Sequence, residues 1–168
     1  AQIICDLKYG TNEPSEIAPR QVLMNVIEQL KAENLKAVVA PELEFYLCEQ
    51  NLDPDLPLKT PVGKSGRRET GSRVFGIDAV NEFDALTDDI YDYCELMDIG
   101  VDTLVHESGP SQIEINLNHG DPLALADQAF MFKRAVRQVA LKHGIHATFM
   151  AKPYQGQPGS SMHIHQNL

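Results

Sequence analysis

Three separate segments alternate polar and apolar residues, and this alternation most restricts how the chain can fold. The segments are PELEFYL (41–47), QIEINLN (112–118) and MHIHQ (162–166). Because residues two apart in a β-strand point to the same side of the sheet, each segment predicts a strand with one apolar face. The opposite face of each strand then carries carboxylate, amide or imidazole groups.

Helix and strand patterns also alternate along the rest of the chain. Helices are predicted at 19–35, 78–98 and 122–143, and further strands at 2–7, 36–47, 103–106 and 145–152. Asp121 is predicted to cap the third helix, and Gly100 and Gly144 to end the second and third. Pro41 is expected to break or bulge its strand. This order predicts an α+β fold whose sheet is not wholly parallel.

Composition limits the class of protein. The chain has 168 residues, 43% of them hydrophobic, and a net charge of −10 from 24 acidic and 14 basic side chains. This length suits one domain, or one domain with a small part of another. The acidic balance argues against nucleic acid or an anionic membrane as a partner. No apolar run approaches the roughly 20 residues of a membrane span, and no signal peptide is visible. We therefore expect a cytoplasmic protein.

The cysteines and the chain ends give further expectations. Cys5, Cys48 and Cys94 are odd in number and widely spaced, which predicts reduced, buried thiols. There is no initiator Met, and the sequence stops inside or just after a predicted strand at Leu168. An unpaired strand edge is unfavourable, so we expect the natural protein to continue.

Residues 49–77 form a long predicted loop that is rich in proline, glycine and basic residues. Loops of this length are often functional or mobile. A solvated surface excursion remains an equal alternative, because no spacing within the segment fixes a ligand.

Metal-type ligands occupy one face of each alternating strand. They are Glu42, Glu44, Glu114, His163 and His165, with Glu107 just past a strand end. Taken singly, each strand is more simply explained as half-exposed with a solvated polar side. If the faces converge, however, several carboxylates share one region and require a cation to remain ionised. Oxygen ligands with one imidazole favour Mg²⁺ or Mn²⁺ over a thiolate-type zinc site.

Common signatures of other enzyme classes are absent from the sequence. There is no GxxxxGK[ST] phosphate loop, no GxGxxG dinucleotide fingerprint, no HExxH zinc motif and no GxSxG nucleophile elbow. The polar strand faces therefore remain the strongest chemical signal.

Three longer motifs resemble the glutamine synthetase superfamily in order and spacing. They are PELEFYL, HESGPSQIEIN and AKPYQGQPGSSMHIHQNL. The resemblance implies that residues 1–14 are the end of an N-terminal β-grasp domain. It implies that residues 15–168 are the first half of a catalytic domain, a split antiparallel barrel built at a subunit junction. The segments AVVAPELEFYL, NLDPDLPLK and IYDYCELM are similar to the γ-glutamylpolyamine synthetase branch.

The resemblance also implies roles for individual residues. Glu44, Glu107 and Glu114 match the three carboxylates on one metal ion, while Glu42 and His163 match ligands of a second. In the same way, His165 matches a histidine near the nucleotide and phosphates, and Gly159 matches a loop that contacts glutamate.

The activity implied is ATP-dependent ligation of the glutamate γ-carboxylate to an amine, such as the polyamine putrescine, through γ-glutamyl phosphate. Mg²⁺ or Mn²⁺ would assist, and the parent protein would be a homo-oligomer of stacked rings. The family's usual Asn before the substrate-loop Gly is Pro158 here, and its usual Gly before Met-His is Ser161. Ammonia as the acceptor and a non-catalytic relative are the alternatives. The 168 residues alone are expected to be inactive.

Overall fold

The computed structural model describes residues 2–168 and shows helices packed on one antiparallel sheet. The helices are α1 (Pro19–Ala32), α2 (Ile77–Asn81), α3 (Asp84–Leu96) and α4 (Pro122–Lys142). The strands are β1 (Val38–Glu49), β2 (Val101–His106), β3 (Gln112–Leu117), β4 (Ile145–Thr148) and β5 (Met162–Asn167). The predicted α+β class is confirmed, and the sheet is open.

Strand β1 is the centre of the sheet. It pairs with β3 over 42–46, and β3 in turn pairs with β2. Its first half also pairs with β5, from Val38 to Leu43, and its last four residues pair with β4. Since Leu43 is partnered by both β3 and β5, these two strands must lie on opposite edges of β1.

The apolar face of the sheet forms the core with α3 and α4. Leu43, Phe45 and Leu47 of β1 are buried there with Ile113 and Ile115 of β3. Helix α3 contributes Leu86, Ile90 and Cys94, and α4 contributes chiefly Phe132, Val136 and Val139. The predicted alternation is therefore confirmed, and it leaves the polar face of β1 and β3 on the side away from this core.

Pro41 does not interrupt β1, contrary to the expectation from sequence. The strand runs unbroken through this residue, and Pro41 lies opposite Ile164 of β5. The pairing with β5 is regular before and after the proline, so Glu42 and Glu44 point to the same face of the sheet.

The predicted helix 78–98 is in fact two helices, α2 and α3, separated at Glu82 and Phe83. The carbonyl oxygen of Glu82 accepts a hydrogen bond from the backbone N–H of Lys64, at 3.0 Å, in the long loop. Phe83 leaves the helical conformation, with φ of −127° and ψ of 29°, and this local change does not alter the spacing of the apolar residues. Helix α3 also ends earlier than predicted, because Asp98 rather than Gly100 takes up the left-handed conformation, with φ of 56°.

Helix α4 follows its predicted ends closely. The Asp121 side chain accepts hydrogen bonds from the backbone N–H groups of Leu123 and Ala124, both at 3.0 Å. At the other end, Gly144 has φ of 73°, a conformation that favours glycine. Both terminal predictions for this helix are confirmed.

The N-terminal segment differs from its prediction. No strand forms over 2–7, and the nearest pairing is an isolated bridge between Lys8 and Pro14. Cys5 is exposed, so the prediction of a buried thiol is wrong there, while Cys48 and Cys94 are buried as predicted.

No helix within residues 2–168 is long and apolar enough to cross a lipid bilayer.

Candidate metal centre and family

Strand register brings the predicted ligands onto one face of the sheet. Glu44 lies directly opposite Glu114 of β3, and Glu42 lies opposite His163 of β5. Directly opposed residues in an antiparallel pair point to the same side. Three strands distant in sequence therefore present their acidic and imidazole groups together, on the face opposite Leu43 and Phe45.

Glu42, Glu114 and His163 form the tightest group. One ligand atom from each residue lies within 4.8 Å of the others. The Glu42 Oε2 atom is 3.3 Å from His163 Nδ1, and the Glu42 side chain retains 24% of its exposure. Two carboxylates and one imidazole at this spacing are suitable ligands for a divalent cation, and the oxygen majority favours Mg²⁺ or Mn²⁺.

Glu114 is the most electrostatically crowded member of the group. Its pKa is raised, first by burial and then by the negative charges of Glu42, Glu107 and Glu44. The residue is 9% exposed, so water screens this repulsion poorly. A bound cation would relieve the repulsion, which is a property of the donor set itself and supports a metal site here.

Glu44 and Glu107 lie beside this group, and neither belongs to the triplet of ligand atoms within 4.8 Å. Glu44 is 7% exposed, and its Oε2 atom accepts hydrogen bonds from the Gln112 side chain, at 2.9 Å, and the Ser161 backbone N–H, at 3.1 Å. Glu107 is half-buried in the turn after β2. Both carboxylates are near enough for their charges to raise the pKa of Glu114.

His165 and Gly159 are the remaining predicted site residues. The His165 Nε2 atom lies 3.0 Å from Glu42 Oε1, and 68% of the His165 side chain is exposed. The Gly159 carbonyl oxygen accepts a hydrogen bond from the Gln112 amide at 3.0 Å. A Cβ atom at Gly159 would lie 2.8 Å from the Ala151 carbonyl oxygen, so the close approach of the two backbones requires glycine.

Gln112 is a site residue whose role the sequence did not reveal. Its side-chain nitrogen donates to both Glu44 and Gly159, and its side-chain oxygen accepts from the Gly109 N–H at 2.9 Å. The alternation of polar and apolar residues had placed Gln112 on this face without assigning it a function. It joins β1, the 107–111 turn and the loop before β5.

Tyr46 was also missed by the sequence analysis. It continues the polar face of β1 beyond Glu44, and it is fully buried. Burial, followed by the charges of Glu44 and Glu107, raises the pKa of its hydroxyl group to about 12. The hydroxyl is therefore protonated at neutral pH and serves as a hydrogen-bond donor.

Comparison with known proteins agrees with this geometry. Residues 16–168 match the family described as "Glutamine synthetase, catalytic domain". The chain is 44% identical to γ-glutamylputrescine synthetase PuuA of Escherichia coli (strain K12), over 99% of this chain and 36% of that protein. It is 36% identical to glutamine synthetase of Thermus thermophilus, over all of this chain and again 36% of the relative.

A third relative is named for a different acceptor. Glutamate–isopropylamine ligase of Pseudomonas sp is 32% identical over all of this chain and 36% of its own length. The chain thus spans little more than a third of the curated relatives that it matches.

Solved structures share the fold. The structure described as "Apo GmaS without ligand" superposes with a TM-score of 0.80 at 26% identity, over 96% of this chain and 36% of that one. Plasmodium falciparum glutamine synthetase gives a TM-score of 0.77 at 24% identity, over the same shares of the two chains. The match of residues 16–168 shows that the chain belongs to the glutamine synthetase family, and the solved structures share its fold.

Proposed function

We propose that the protein containing this chain is an ATP-dependent ligase that joins the γ-carboxylate of glutamate to an amine, with a polyamine such as putrescine as the acceptor. The observation that carries the proposal is the convergence of Glu42, Glu114 and His163 from three strands onto one point. The 44% identity to γ-glutamylputrescine synthetase supports the choice of acceptor.

The reaction proceeds in two balanced steps. A carboxylate oxygen of glutamate attacks the γ-phosphorus of ATP, and ADP leaves as γ-glutamyl phosphate forms. The amine nitrogen then attacks the acyl carbon, the bond to the phosphate oxygen breaks, and the proton of the amine is lost to a base. A divalent ion, when bound, neutralises phosphoryl oxygens as charge develops on them.

Different residues of this chain are proposed to bind metal, to orient the metal ligands and to contact the substrates. Glu44, Glu107 and Glu114 are proposed to hold one metal ion, and Glu42 and His163 a second. Gln112 fixes the rotamer of Glu44 by its 2.9 Å hydrogen bond, so that the carboxylate is held in place before metal arrives. His165 is proposed to approach the nucleotide phosphates, and Gly159 to lie against glutamate.

The negative charge of the chain is relevant to which amine it accepts. Only an unprotonated amine can attack, while the second ammonium of a diamine favours an acidic environment. A diamine in solution carries two positive charges before one amine is deprotonated, and the net charge of −10 on the chain is compatible with its attraction.

The test is an acceptor panel with the intact protein that contains this chain. ADP release is measured with ATP, glutamate, Mg²⁺ and one of ammonia, ethanolamine, putrescine or spermidine. We expect release that depends on both glutamate and putrescine, and no turnover by the 168-residue chain alone. Turnover with ammonia alone would instead identify a glutamine synthetase that uses ammonia.

A matched pair of variants separates catalysis from simple binding. Glu114→Gln should abolish amine-dependent ADP release, whereas Glu95→Gln, on an exposed position of α3, should retain it. If the intact wild-type protein binds Mn²⁺ but shows no turnover with any acceptor, the protein is a non-catalytic binding relative.

Two larger-scale features are proposed with the function. Residues 1–14 would end a preceding β-grasp domain and 15–168 would begin the catalytic domain, with intact subunits forming stacked homo-oligomeric rings. Light scattering of the intact protein after size-exclusion chromatography tests the assembly. A monomeric mass for an active protein would contradict it.

A further inference from the structure

A buried carboxylate–imidazole pair connects the long 49–77 loop to the β2–β3 hairpin. His106, the last residue of β2, has 1% of its side chain exposed, and Glu69 of the loop has 10%. The Glu69 Oε2 atom lies 2.9 Å from His106 Nε2. Glu69 comes from a segment to which the sequence assigned no function, and it is largely removed from water.

The same oxygen of Glu69 also accepts a hydrogen bond from the backbone N–H of Ser111 at 2.6 Å. Ser111 has φ of 59°, a left-handed conformation that disfavours residues other than glycine. Such conformations cost of order 1–3 kcal/mol and persist only where the surroundings fix them. The hydrogen bond from Ser111 to Glu69 is one contact that holds this conformation.

The segment between His106 and Ser111 carries Glu107. The His106 Nδ1 atom lies 2.8 Å from the carbonyl oxygen of Glu107, so one ring contacts both Glu69 and the backbone of the candidate metal ligand. The Glu107 N–H donates to the Gln112 carbonyl oxygen at 2.8 Å and closes the hairpin. Glu69 thus touches both ends of the turn that presents Glu107.

We propose that Glu69 is a positioning residue that fixes the 107–111 turn and thereby places the Glu107 carboxylate beside Glu114. The effect on metal binding rests on the proposed function, whereas the effect on the turn does not. Glu69 itself touches neither the metal ligands' side chains nor any reacting atom. Its contribution is to hold the turn in one conformation, which reduces the ordering needed when a cation binds.

Two variants and a matched control test the proposal in the intact protein. Glu69→Ala removes both contacts. Glu69→Gln keeps an oxygen that can take the place of Oε2, where it accepts from the Ser111 N–H and from an Nε2–H of the His106 ring. Asp55→Asn makes the same change of charge at an exposed position of the same loop.

The first measurement is hydrogen exchange of the backbone amides in 107–112, without metal. We expect Glu69→Ala to speed exchange there by at least about tenfold, since the conformation of the turn loses one of its fixed partners. The exchange rates of the 107–112 amides in Glu69→Gln should be close to those of the wild type, and those in Asp55→Asn should equal the wild-type rates. Unchanged exchange of the 107–112 amides in Glu69→Ala would overturn the proposal. If Glu69→Ala does not fold, the test is made instead on the His106 ring N–H resonances of Glu69→Gln. Ring resonances that match the wild type in Glu69→Gln support the proposal, and ring resonances lost in a folded Glu69→Gln overturn it.

The second measurement is Mn²⁺ affinity by calorimetry. Loss of a supporting partner typically weakens metal affinity about 10- to 100-fold, and we expect a loss in that range for Glu69→Ala with rescue in Glu69→Gln. Wild-type affinity in Glu69→Ala would refute the link to the metal site. Failure of the wild-type protein to bind Mn²⁺ would instead refute the proposed function, and hydrogen exchange would still decide the role of Glu69.

Discussion

The hydroxyl group of Tyr46 donates a hydrogen bond to the carbonyl oxygen of Pro158 at 2.8 Å. This contact joins the polar face of β1 to the loop that precedes β5. Further along that loop, the Ser161 N–H reaches Glu44. The candidate site is thus held together across elements that lie more than a hundred residues apart in sequence.

Tyr46→Phe is expected to lower the free energy of unfolding by about 1 kcal/mol, the usual net value of one hydrogen bond. Urea denaturation measures the change, with Tyr9→Phe at an exposed position as the control. A loss no greater than that of the control would show that the hydrogen bond does not contribute.

Gly109→Ala is expected to destabilise the protein, because a Cβ atom there would collide with the Tyr46 hydroxyl oxygen and lie 2.5 Å from its Cζ atom. Tyr46 is fully buried and cannot simply move aside. Overpacking of this kind costs about 1–3 kcal/mol. Thermal denaturation measures the effect, and Gly10→Ala is the control because nothing lies within 4 Å of the place that its new methyl group would occupy. Equal stability of the two variants would contradict the close contact.

Glu114→Gln should raise the stability of the metal-free protein and lower its affinity for metal. In the metal-free protein it removes a buried charge crowded by Glu42, Glu107 and Glu44, so the stability should rise. Mn²⁺ affinity should fall by more than about tenfold, since a ligand is lost. Calorimetry and urea denaturation follow the two quantities separately. A metal-free variant that is less stable than wild type would contradict the electrostatic crowding.

The three cysteines should differ sharply in alkylation by iodoacetamide at about pH 8. Burial raises the pKa of Cys48 and of Cys94 to about 11, so both remain uncharged thiols, whereas Cys5 is exposed. Mass spectrometry should find rapid labelling at Cys5 alone in the folded protein and at all three in urea. Rapid labelling of Cys48 without denaturant would contradict its burial.

Asp89→Asn should destabilise the protein in a pH-dependent way. Hydrogen bonds from Lys142, then from His143, lower the pKa of Asp89 in the folded state. A lowered folded pKa adds stability above the unfolded value of about 3.9, and this stability is lost as the pH falls through the folded pKa. Urea midpoints relative to Asp88→Asn, an exposed neighbour, should therefore differ near neutral pH and converge in acid. A difference independent of pH would indicate another cause.

Local patterns predicted the faces of β1, β3 and β5 because strand geometry alone decides which side chains point together. They left open whether these faces converge, and the strand register shows that Glu42 and His163 meet. They did not anticipate the break before α3, where the Glu82 carbonyl oxygen accepts a hydrogen bond from Lys64 in the distant loop. The roles of Gln112, Tyr46 and Glu69 were missed because each depends on partners far away in sequence.

Strand β1 has neighbours along both of its edges, with β3 on one and β5 followed by β4 on the other. Inserting or deleting one residue within it would exchange the environments of Glu42 and Leu43, moving an acid into the core and a leucine among the acids. No loop within the strand is present to absorb the change. Natural variation here should consequently take the form of replacements at constant length, with gains and losses of residues confined to segments such as 49–77.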